Sequence, residues 1–314
     1  MNLHHDRNVF PDTLKAASQH LKINLDFVEK DYWITLVLSL LAKSKYVADA
    51  VFKGGTSLAK GYNLIERFSE DVDIAVINDK GMTGNVVKTI IRNIEKEITP
   101  DLIELQVDGV TSKGSRFRKS VYEYVSIEKN NQNNKLIVEI NSFANPFPFT
   151  QLSIKSLVFD FLTQTENTKI IDQFNLRQFE IKVLSKEQTL LEKLVSLIRF
   201  SFDANPIETI SGKIRHFYDL YFLANDPECA EFIVSESFKV RFDSILQHDR
   251  IMFEEPMGWR TKSVSESPLV SGFETIWRQL ERKYQSELST LAYRTIPDSN
   301  IIAANFIRVI KLIE

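Results

Sequence analysis

The chain is poor in several features that define common protein classes, and each absence removes a class. Cys229 is the only cysteine among 314 residues, so an intramolecular disulfide is excluded and a reducing cytoplasm is the expected compartment. The N-terminus shows no secretory signal, and the longest apolar stretch near it, 32–42, is too short to cross a bilayer. A formal net charge of −3 excludes a strongly basic coat, so nucleic acid could bind only at a local patch.

Several catalytic and cofactor motifs are also missing. There is no Gly-x-Gly-x-x-Gly for a dinucleotide, and the Gly-Gly-Thr-Ser segment at 54–57 lacks the Gly-Lys-Ser/Thr ending of a P-loop. The five histidines show no zinc spacing. Ser57 has no evident histidine and aspartate partners for a nucleophilic triad. Dinucleotide enzymes, P-loop enzymes and serine hydrolases are therefore not expected.

The pattern of apolar residues changes along the chain. Helix and strand patterns alternate up to about residue 180, and nearly all later segments have helical spacing. We therefore predict an α+β fold, with helices and strands in 1–180 and a helical domain in 181–314. The predicted helices are 12–44 with a break near Ile23, 57–62, 86–98, 186–202, 212–224, 235–247, 273–290 and 301–313; the predicted strands are 47–52, 71–77, 122–128 and 135–141.

A glycine pair follows the first predicted strand. Gly54 and Gly55 permit a tight turn because neither carries a Cβ atom. A helix beginning at Thr56 and Ser57 would then point backbone N–H groups at a ligand above the turn, which suits a triphosphate. Glycine pairs also occur in turns without function, so this feature alone leaves both interpretations open.

The next predicted strand carries two carboxylates. Asp71 and Asp73 are two residues apart, so both side chains project from one face, with their backbone origins roughly 6.5 Å apart. Two ionised groups at that distance repel by about 2.5 kcal/mol at an effective dielectric constant of 20. A bridging divalent cation reverses the sign of that interaction. The alternative is an edge strand with a solvated acidic face.

A third carboxylate stands inside an apolar run. Glu139 is flanked by Ile137, Val138 and Ile140, which suggests that both faces of this strand are covered. A charge in such a position belongs either to a solvated face or to a metal site, and we favour the metal site.

Two segments resemble a known family. The run 52–60, Phe-Lys-Gly-Gly-Thr-Ser-Leu-Ala-Lys, and the run 67–73, Arg-Phe-Ser-Glu-Asp-Val-Asp, resemble the signature of the AbiEii/AbiGii nucleotidyltransferase toxins. These toxins belong to the DNA polymerase β-like nucleotidyltransferase superfamily. The run 190–194 resembles the family's helix with an inward lysine, and 215–221 resembles its Arg-Asp-x-x-Asp-Leu segment. His216 departs from that segment, where an acidic residue is usual, so no catalytic role is assigned to it.

The resemblance implies a nucleotidyltransferase-type mixed sheet flanked by helices, and a helical domain in 181–314 that contributes to the active-site cleft. It also implies a role for each matching residue. Asp71, Asp73 and Glu139 would bind Mg²⁺, with Mn²⁺ as an alternative ion, and Glu139 would activate the acceptor hydroxyl. Lys193 would contact the triphosphate, and Asp219 would complete the catalytic set. The nucleotide-binding residues would be Gly54, Gly55, Thr56, Ser57, Lys60, Arg67, Ser69 and Arg215.

Three of these assignments have alternatives in the sequence. Lys193 could be a solvated residue on its helix, between Leu190 and Leu194. Arg215 and Asp219 are four residues apart and could form only a helical ion pair. The basic run 113–119 could bind an RNA backbone with Phe117 stacking on a base, or it could be a mobile solvated loop.

The resemblance implies an enzyme that transfers a nucleoside monophosphate from an NTP to an acceptor. The acceptor would be the tRNA 3′ end. The protein would act as a toxin in a toxin–antitoxin or phage abortive-infection system. Its partner would be a cognate antitoxin, and no membrane partner is expected. One alternative keeps the fold but modifies a small molecule or a protein. Another is a non-catalytic NTP-binding module with a vestigial site, against which the intact Asp71, Asp73 and Lys193 argue.

Overall fold

A computed structural model describes residues 1–78, 81–128 and 134–313. The chain divides into two units, which are described separately below. The first comprises Met1–Tyr62 and Phe68–Leu184, and the second comprises Asn63–Arg67 and Ser185–Glu314. Residue 180, where the sequence pattern suggests the division, lies inside the last strand of the first unit. Within the described residues, no helix is both long and apolar enough to span a bilayer.

The first unit is built on a mixed sheet. Its strands are β1 Ala50–Lys53, β2 Asp71–Val76, β3 Ile103–Leu105, β4 Ser112–Lys113, β5 Phe117–Glu123, β6 Lys135–Asn141, β7 Phe149–Ile154 and β8 Phe179–Leu184. Their order across the sheet is β3-β5-β6-β2-β1-β8-β7, and β4 pairs with β5. The pairs β1–β8 and β2–β6 are parallel, and the other pairs are antiparallel. This arrangement, with the helices below, confirms the predicted α+β class.

The helices of the first unit pack against this sheet or against one another. They are α1 Val9–Leu21, α2 Leu25–Lys43, α3 Gly54–Lys60, α4 Gly84–Ile98, α5 Leu157–Gln164 and α6 Thr168–Gln173. The buried residues of α4 recur every three or four positions and pack, with α2, against the apolar face of β2 and β6. That face presents Val72, Ile74, Val138 and Ile140, all almost fully buried. The opposite face of β2 and β6 therefore carries the remaining, largely charged side chains.

The second unit is helical in its described part. Its helices are α7 Lys186–Ser201, α8 Pro206–Ser211, α9 Arg215–Asn225, α10 Pro227–Ile233, α11 Glu236–Met252, α12 Pro268–Ser271, α13 Phe273–Leu291 and α14 Ser299–Ile310. An aromatic cluster of Phe217, Phe273, Trp277 and Phe306 joins α9, α13 and α14. The short segment 63–67 also belongs to this unit, because Arg67 forms an antiparallel bridge with Ala292 and Glu66 accepts a hydrogen bond from the Tyr293 amide.

The largest sequence errors concern the strands. The strand predicted at 122–128 is β5, and it begins at Phe117 and ends at Glu123. Strands β3, β4, β7 and β8 were not predicted. Strands β3 and β4 are too short to show a pattern, whereas β8 alternates Phe179, Ile181 and Val183 with charged residues, a usable signal that was missed. Of the asparagine run predicted to connect two strands, 130–133 lies outside the described residues.

Candidate active site

Strand β2 separates charged from apolar side chains by simple alternation. Asp71 and Asp73 are partly exposed, whereas Val72 and Ile74 are fully buried. Because successive residues of a strand point to opposite faces, both carboxylates lie on the sheet face away from the core. The structure therefore brings the two predicted metal ligands of β2 to one face.

The neighbouring strands extend this charged face into a row. Asp73 is in register with Glu139 on β6 and with Lys53 on β1, and Glu139 is in register with Lys119 on β5. Residues in register on adjacent strands share a face and lie about 4.8 Å apart at the backbone. Two acids thus stand side by side in the centre of the row, with one lysine at each end.

Glu139 lies on the open side of its strand. The core covers Val138 and Ile140, and the Glu139 side chain on the other face is partly buried, at 26% exposure. Lys119 Nζ lies 3.6 Å from Glu139 Oε2. The lysine offsets part of the repulsion between Glu139 and Asp73, so the row tolerates two adjacent acids even before a cation binds.

The turn at Gly54 and Gly55, called the glycine corner below, contacts the carboxylate of Asp73. Gly54 has φ +78°, a left-handed conformation that side chains rarely adopt. A Cβ atom built on Gly54 would lie 2.0 Å from Asp73 Oδ2 and 2.9 Å from its Cγ. Glycine is therefore required at position 54 for two reasons. The backbone is left-handed there, and Asp73 occupies the space that a Cβ atom would need.

Two hydroxyls hold this corner in place. Thr56 Oγ1 donates to the carbonyl oxygen of Asp71, and Ser57 Oγ donates to the carbonyl oxygen of Gly54 at 2.8 Å. Both side chains are buried. A hydroxyl that donates its proton to a carbonyl has none left for a phosphate oxygen, so these side chains position the corner. The predicted contact of Thr56 and Ser57 with nucleotide stays a prediction.

Lys60 is engaged elsewhere within the first unit. Its ammonium group forms an ion pair with Asp31, which also accepts a hydrogen bond from the Leu157 amide at 2.7 Å. Both members of the pair are about nine-tenths buried. Ser69 is half-buried beside Glu70, which pairs with Lys30 at 2.6 Å. The structure gives Lys60 a stabilising partner, and its predicted contact with nucleotide stays a prediction.

A separate cluster of charges lies inside the second unit. Arg67 donates from Nε and Nη2 to the two carboxylate oxygens of Asp219, each at 2.7 Å, and Lys193 Nζ lies 2.8 Å from Asp219 Oδ2. The side chain of Asp219 is completely buried, and those of Arg67 and Lys193 are nearly so. We call these three residues the buried charge cluster. Lys193 is therefore not the solvated residue of the alternative interpretation.

The cluster fixes the ionisation state of its members. Burial alone disfavours the charged carboxylate, but Arg67 and Lys193 outweigh it and hold the pKa of Asp219 well below its ordinary value. Burial, followed by the charges of Lys193 and Lys213, lowers the pKa of the neighbouring His216 well below its ordinary value. His216 is therefore uncharged at neutral pH.

Arg215 has a different partner from the one its spacing suggests. It donates from Nε to Glu287 Oε1 at 2.8 Å, while Asp219 is held by Arg67 and Lys193. The helical ion pair between Arg215 and Asp219 is thus replaced by contacts from distant parts of the chain. This outcome depends on tertiary packing, which i, i+4 spacing does not describe.

The basic run 113–119 is partly strand, and several of its charges are paired with acids from other elements. It contains β4 and the start of β5. Arg118 donates to Glu95 at 2.6 Å, Lys113 pairs with Glu104, and Lys119 pairs with Glu139. These acids come from other elements and were not visible in the local sequence. The run is therefore weaker as a candidate surface for RNA than its sequence indicates.

The sequence was compared with models of protein families. It matches the model described as nucleotidyl transferase AbiEii toxin, type IV TA system, over residues 36–298, which is more than half of the chain. The chain belongs to this family. It is accordingly a nucleotidyltransferase enzyme and the toxin of a type IV toxin–antitoxin system. A comparison of this AbiEii-family toxin with curated protein sequences found no match.

Two solved structures are similar to the AbiEii-family chain. MenT4, a nucleotidyltransferase toxin from Mycobacterium tuberculosis, has 16% sequence identity and a TM-score of 0.49, with 96% of this chain and 98% of that chain covered. JHP933 from Helicobacter pylori has 15% identity and a TM-score of 0.33, with 84% of this chain and 97% of that chain covered. The family assignment rests on the sequence match.

Two features of this AbiEii-family site were missed in the sequence. Lys53 and Lys119 flank the acidic pair, and Arg67 binds Asp219. Lys53 adjoins the glycine pair, so its place at the end of β1 was a usable signal. The Arg67–Asp219 contact joins residues 152 positions apart and has no local signal.

Proposed function

We propose that this AbiEii-family toxin transfers a nucleoside monophosphate from an NTP to the 3′ end of tRNA with the help of Mg²⁺. The observation that carries the proposal is the place of Asp73. Its carboxylate lies against the Gly54 corner, shares a face with Asp71, and is in register with Glu139. Three hard oxygen donors on one face of two adjacent strands suit Mg²⁺, and Mn²⁺ as an alternative ion.

The donor set fits the ion by its chemistry. Asp71, Asp73 and Glu139 supply carboxylate oxygens from adjacent strands of one rigid sheet, so little order has to be imposed when a cation binds. When bound, the cation supplies charge stabilisation at the phosphoryl oxygens and at the attacking and leaving oxygens. Glu139 is proposed as the group that accepts the proton of the acceptor hydroxyl.

The glycine corner has a second task in this proposal. Gly54 leaves no side chain above Asp73, so a phosphate group can approach the carboxylate and its cation closely. The hydroxyls of Thr56 and Ser57 keep the backbone of Gly54 and Gly55 in the required conformation. We assign phosphate contact to the backbone N–H groups of this segment.

Lys193 is proposed as a contact to the triphosphate, with Asp219 and Arg67 as the residues that hold its ammonium group. The cluster contains two positive charges and one negative charge, so an anion is the ligand it favours. Arg67 forms the fork-shaped, two-point contact with a carboxylate that fixes geometry best. A lysine anchored in this way keeps a defined position while it binds an anion.

The acceptor, the compartment and the antitoxin follow from the resemblance to AbiEii-family toxins. We propose tRNA as the acceptor, a cytoplasmic site of action, and neutralisation by a cognate antitoxin. No membrane partner is proposed.

One experiment tests the proposal. The purified protein is incubated with Mg²⁺, each labelled NTP, total RNA and lysate protein, and the labelled fraction is identified. Label on tRNA that Asp73→Ala removes supports the proposal. Label on protein or on a small molecule would keep the enzyme and overturn the acceptor, and equal labelling of tRNA by Asp73→Ala would overturn the site.

A further inference from the structure

A second candidate metal site lies in the first unit, and it involves none of the residues assigned above to nucleotidyl transfer. His4, His5 and Asp101 each offer one ligand atom, and these atoms lie within 4.8 Å of one another. His4 Nε2 is 3.5 Å from Asp101 Oδ2, and His5 Nε2 is 3.8 Å from Asp101 Oδ1. Donor atoms around a tetrahedral zinc ion are about 3.3 Å apart, so only small movements separate this arrangement from a zinc site.

His4 is oriented as a metal ligand before any metal binds. Its Nδ1 lies 2.8 Å from the hydroxyl of Tyr32, and its ring packs on Trp33 with centroids 4.6 Å apart. The Tyr32 oxygen also accepts from the His4 backbone amide at 3.3 Å, which holds the two residues together. In the tautomer in which Nδ1–H donates to Tyr32, Nε2 has a free lone pair on the side of Asp101, and a metal ion at Nε2 would select that tautomer. Fixing the tautomer through the other ring nitrogen is the usual arrangement around histidine ligands.

The Nε2 atom of His4 is also an unsatisfied polar atom. It is buried, and within the described residues it has no hydrogen-bond partner. A buried nitrogen without a partner costs free energy, and a bound metal ion would remove that cost.

The remaining ligands leave the site open on one side. The His5 side chain is 49% exposed and that of Asp101 is 27% exposed, so an ion can enter from solvent. The backbone around His4 is held independently, because Leu3 is fully buried in a core with Phe10 and Trp33. The site therefore combines a fixed ligand, a mobile ligand and a carboxylate.

We propose that His4, His5 and Asp101 bind one zinc ion, with water as the fourth ligand. The ion would link the segment Leu3–His5 to the loop between α4 and β3. Zinc accepts a set of two imidazoles and one carboxylate, whereas Mg²⁺ prefers oxygen ligands alone. The bound zinc ion would stabilise the folded state of the first unit. It does not depend on the proposed transfer reaction.

The test is zinc binding by the full chain, purified without a histidine tag. Zn²⁺ is titrated in competition with a chromophoric chelator, and thermal unfolding is followed with and without Zn²⁺. We expect one site that His5→Ala and Asp101→Asn each weaken at least about 100-fold and that Tyr32→Phe weakens about 10–100-fold. A zinc concentration 100 times the Kd should raise the unfolding temperature of the wild type by about 3–6 °C.

Two matched variants separate this site from other zinc binding. His20→Ala removes a histidine outside the cluster, and Asp73→Ala removes a carboxylate of the candidate active site. Both should keep the wild-type affinity and the thermal shift. Equal zinc affinity in the wild type and His5→Ala, or no zinc binding by the wild type, would overturn the proposal.

Discussion

The two charged clusters of this toxin differ in what surrounds them. The acids of the first unit, Asp71, Asp73 and Glu139, are partly exposed and lie beside one another on an open sheet face. In the second unit, Asp219 is fully buried between Arg67 and Lys193. Like charges gathered on an open face cost stability unless a ligand compensates them, whereas opposite charges in a core depend on each other. The first arrangement is typical of a binding site, and the second of a support.

This contrast predicts opposite effects of mutation. Removing an acid from the open face should change activity and leave folding intact. Removing a member of the buried charge cluster should change folding first, because it leaves uncompensated charge in the interior. The variants below test the contrast from the largest expected effect to the smallest.

Asp73→Ala should have the largest effect, a loss of nucleotidyl transfer of at least about 10³-fold, because it removes a carboxylate of the proposed cation site. Transfer of labelled nucleotide to RNA measures it. The midpoint of urea unfolding should stay near that of the wild type. Asp108→Ala, which removes an exposed acid, is the matched control and should keep full activity. If the Asp73 variant unfolded at a markedly lower urea concentration, the expectation that this acid contributes to activity and not to folding would be contradicted.

Asp219→Ala should lower the free energy of unfolding by about 3–5 kcal/mol, because Arg67 and Lys193 would remain buried without their carboxylate. Urea denaturation followed by circular dichroism measures the change. A variant as stable as the wild type would show that the cluster is not a support.

The pH dependence of this effect has a definite sign. Because the pKa of Asp219 is lowered in the folded state, its contribution is complete above the unfolded pKa of about 3.9 and is lost as pH falls towards the folded value. The stability difference between the wild type and Asp219→Asn should therefore shrink as the pH is lowered from 7 to 3. A difference that grows on acidification would contradict the assigned ionisation.

Gly54→Ala should destabilise the first unit by about 1–3 kcal/mol, because it places a Cβ in a left-handed conformation and against the Asp73 carboxylate. Displacement of Asp73 should also lower transfer by about 10–100-fold. Thermal unfolding and the labelling assay measure the two effects. Gly84→Ala is the control, since its added Cβ would meet nothing within 4 Å. Equal behaviour of both variants would contradict the close contact.

Lys119→Met should have the smallest effect. Its ion pair with Glu139 is about one-third exposed, so its loss should change the free energy of unfolding by less than about 1 kcal/mol. Freed from the lysine, Glu139 should bind a cation at least as well, and the Mg²⁺ concentration for half-maximal activity should fall or stay constant. A higher Mg²⁺ requirement would argue that Lys119 positions Glu139.

Local sequence patterns predicted much of the first unit's framework but few of its contacts. The alternation around Asp71 and Asp73 was enough to put both acids on one face, because strand geometry has a period of two. The same rule could not identify the open face of Glu139, which depends on what packs beside β6. The boundaries of β5 were wrong for the same reason, since its pairing with β6 decides where it begins.

The sequence by itself determined the family, the α+β class, the glycine corner and the spacing of the β2 acids, because each depends on neighbouring residues or a short motif. Only the tertiary structure decided that Asp73 lies against Gly54, that Arg67 holds Asp219, and that His4, His5 and Asp101 meet although the histidines show no zinc spacing. These contacts join residues far apart in the chain, and they form only when packing of the apolar core brings those segments together.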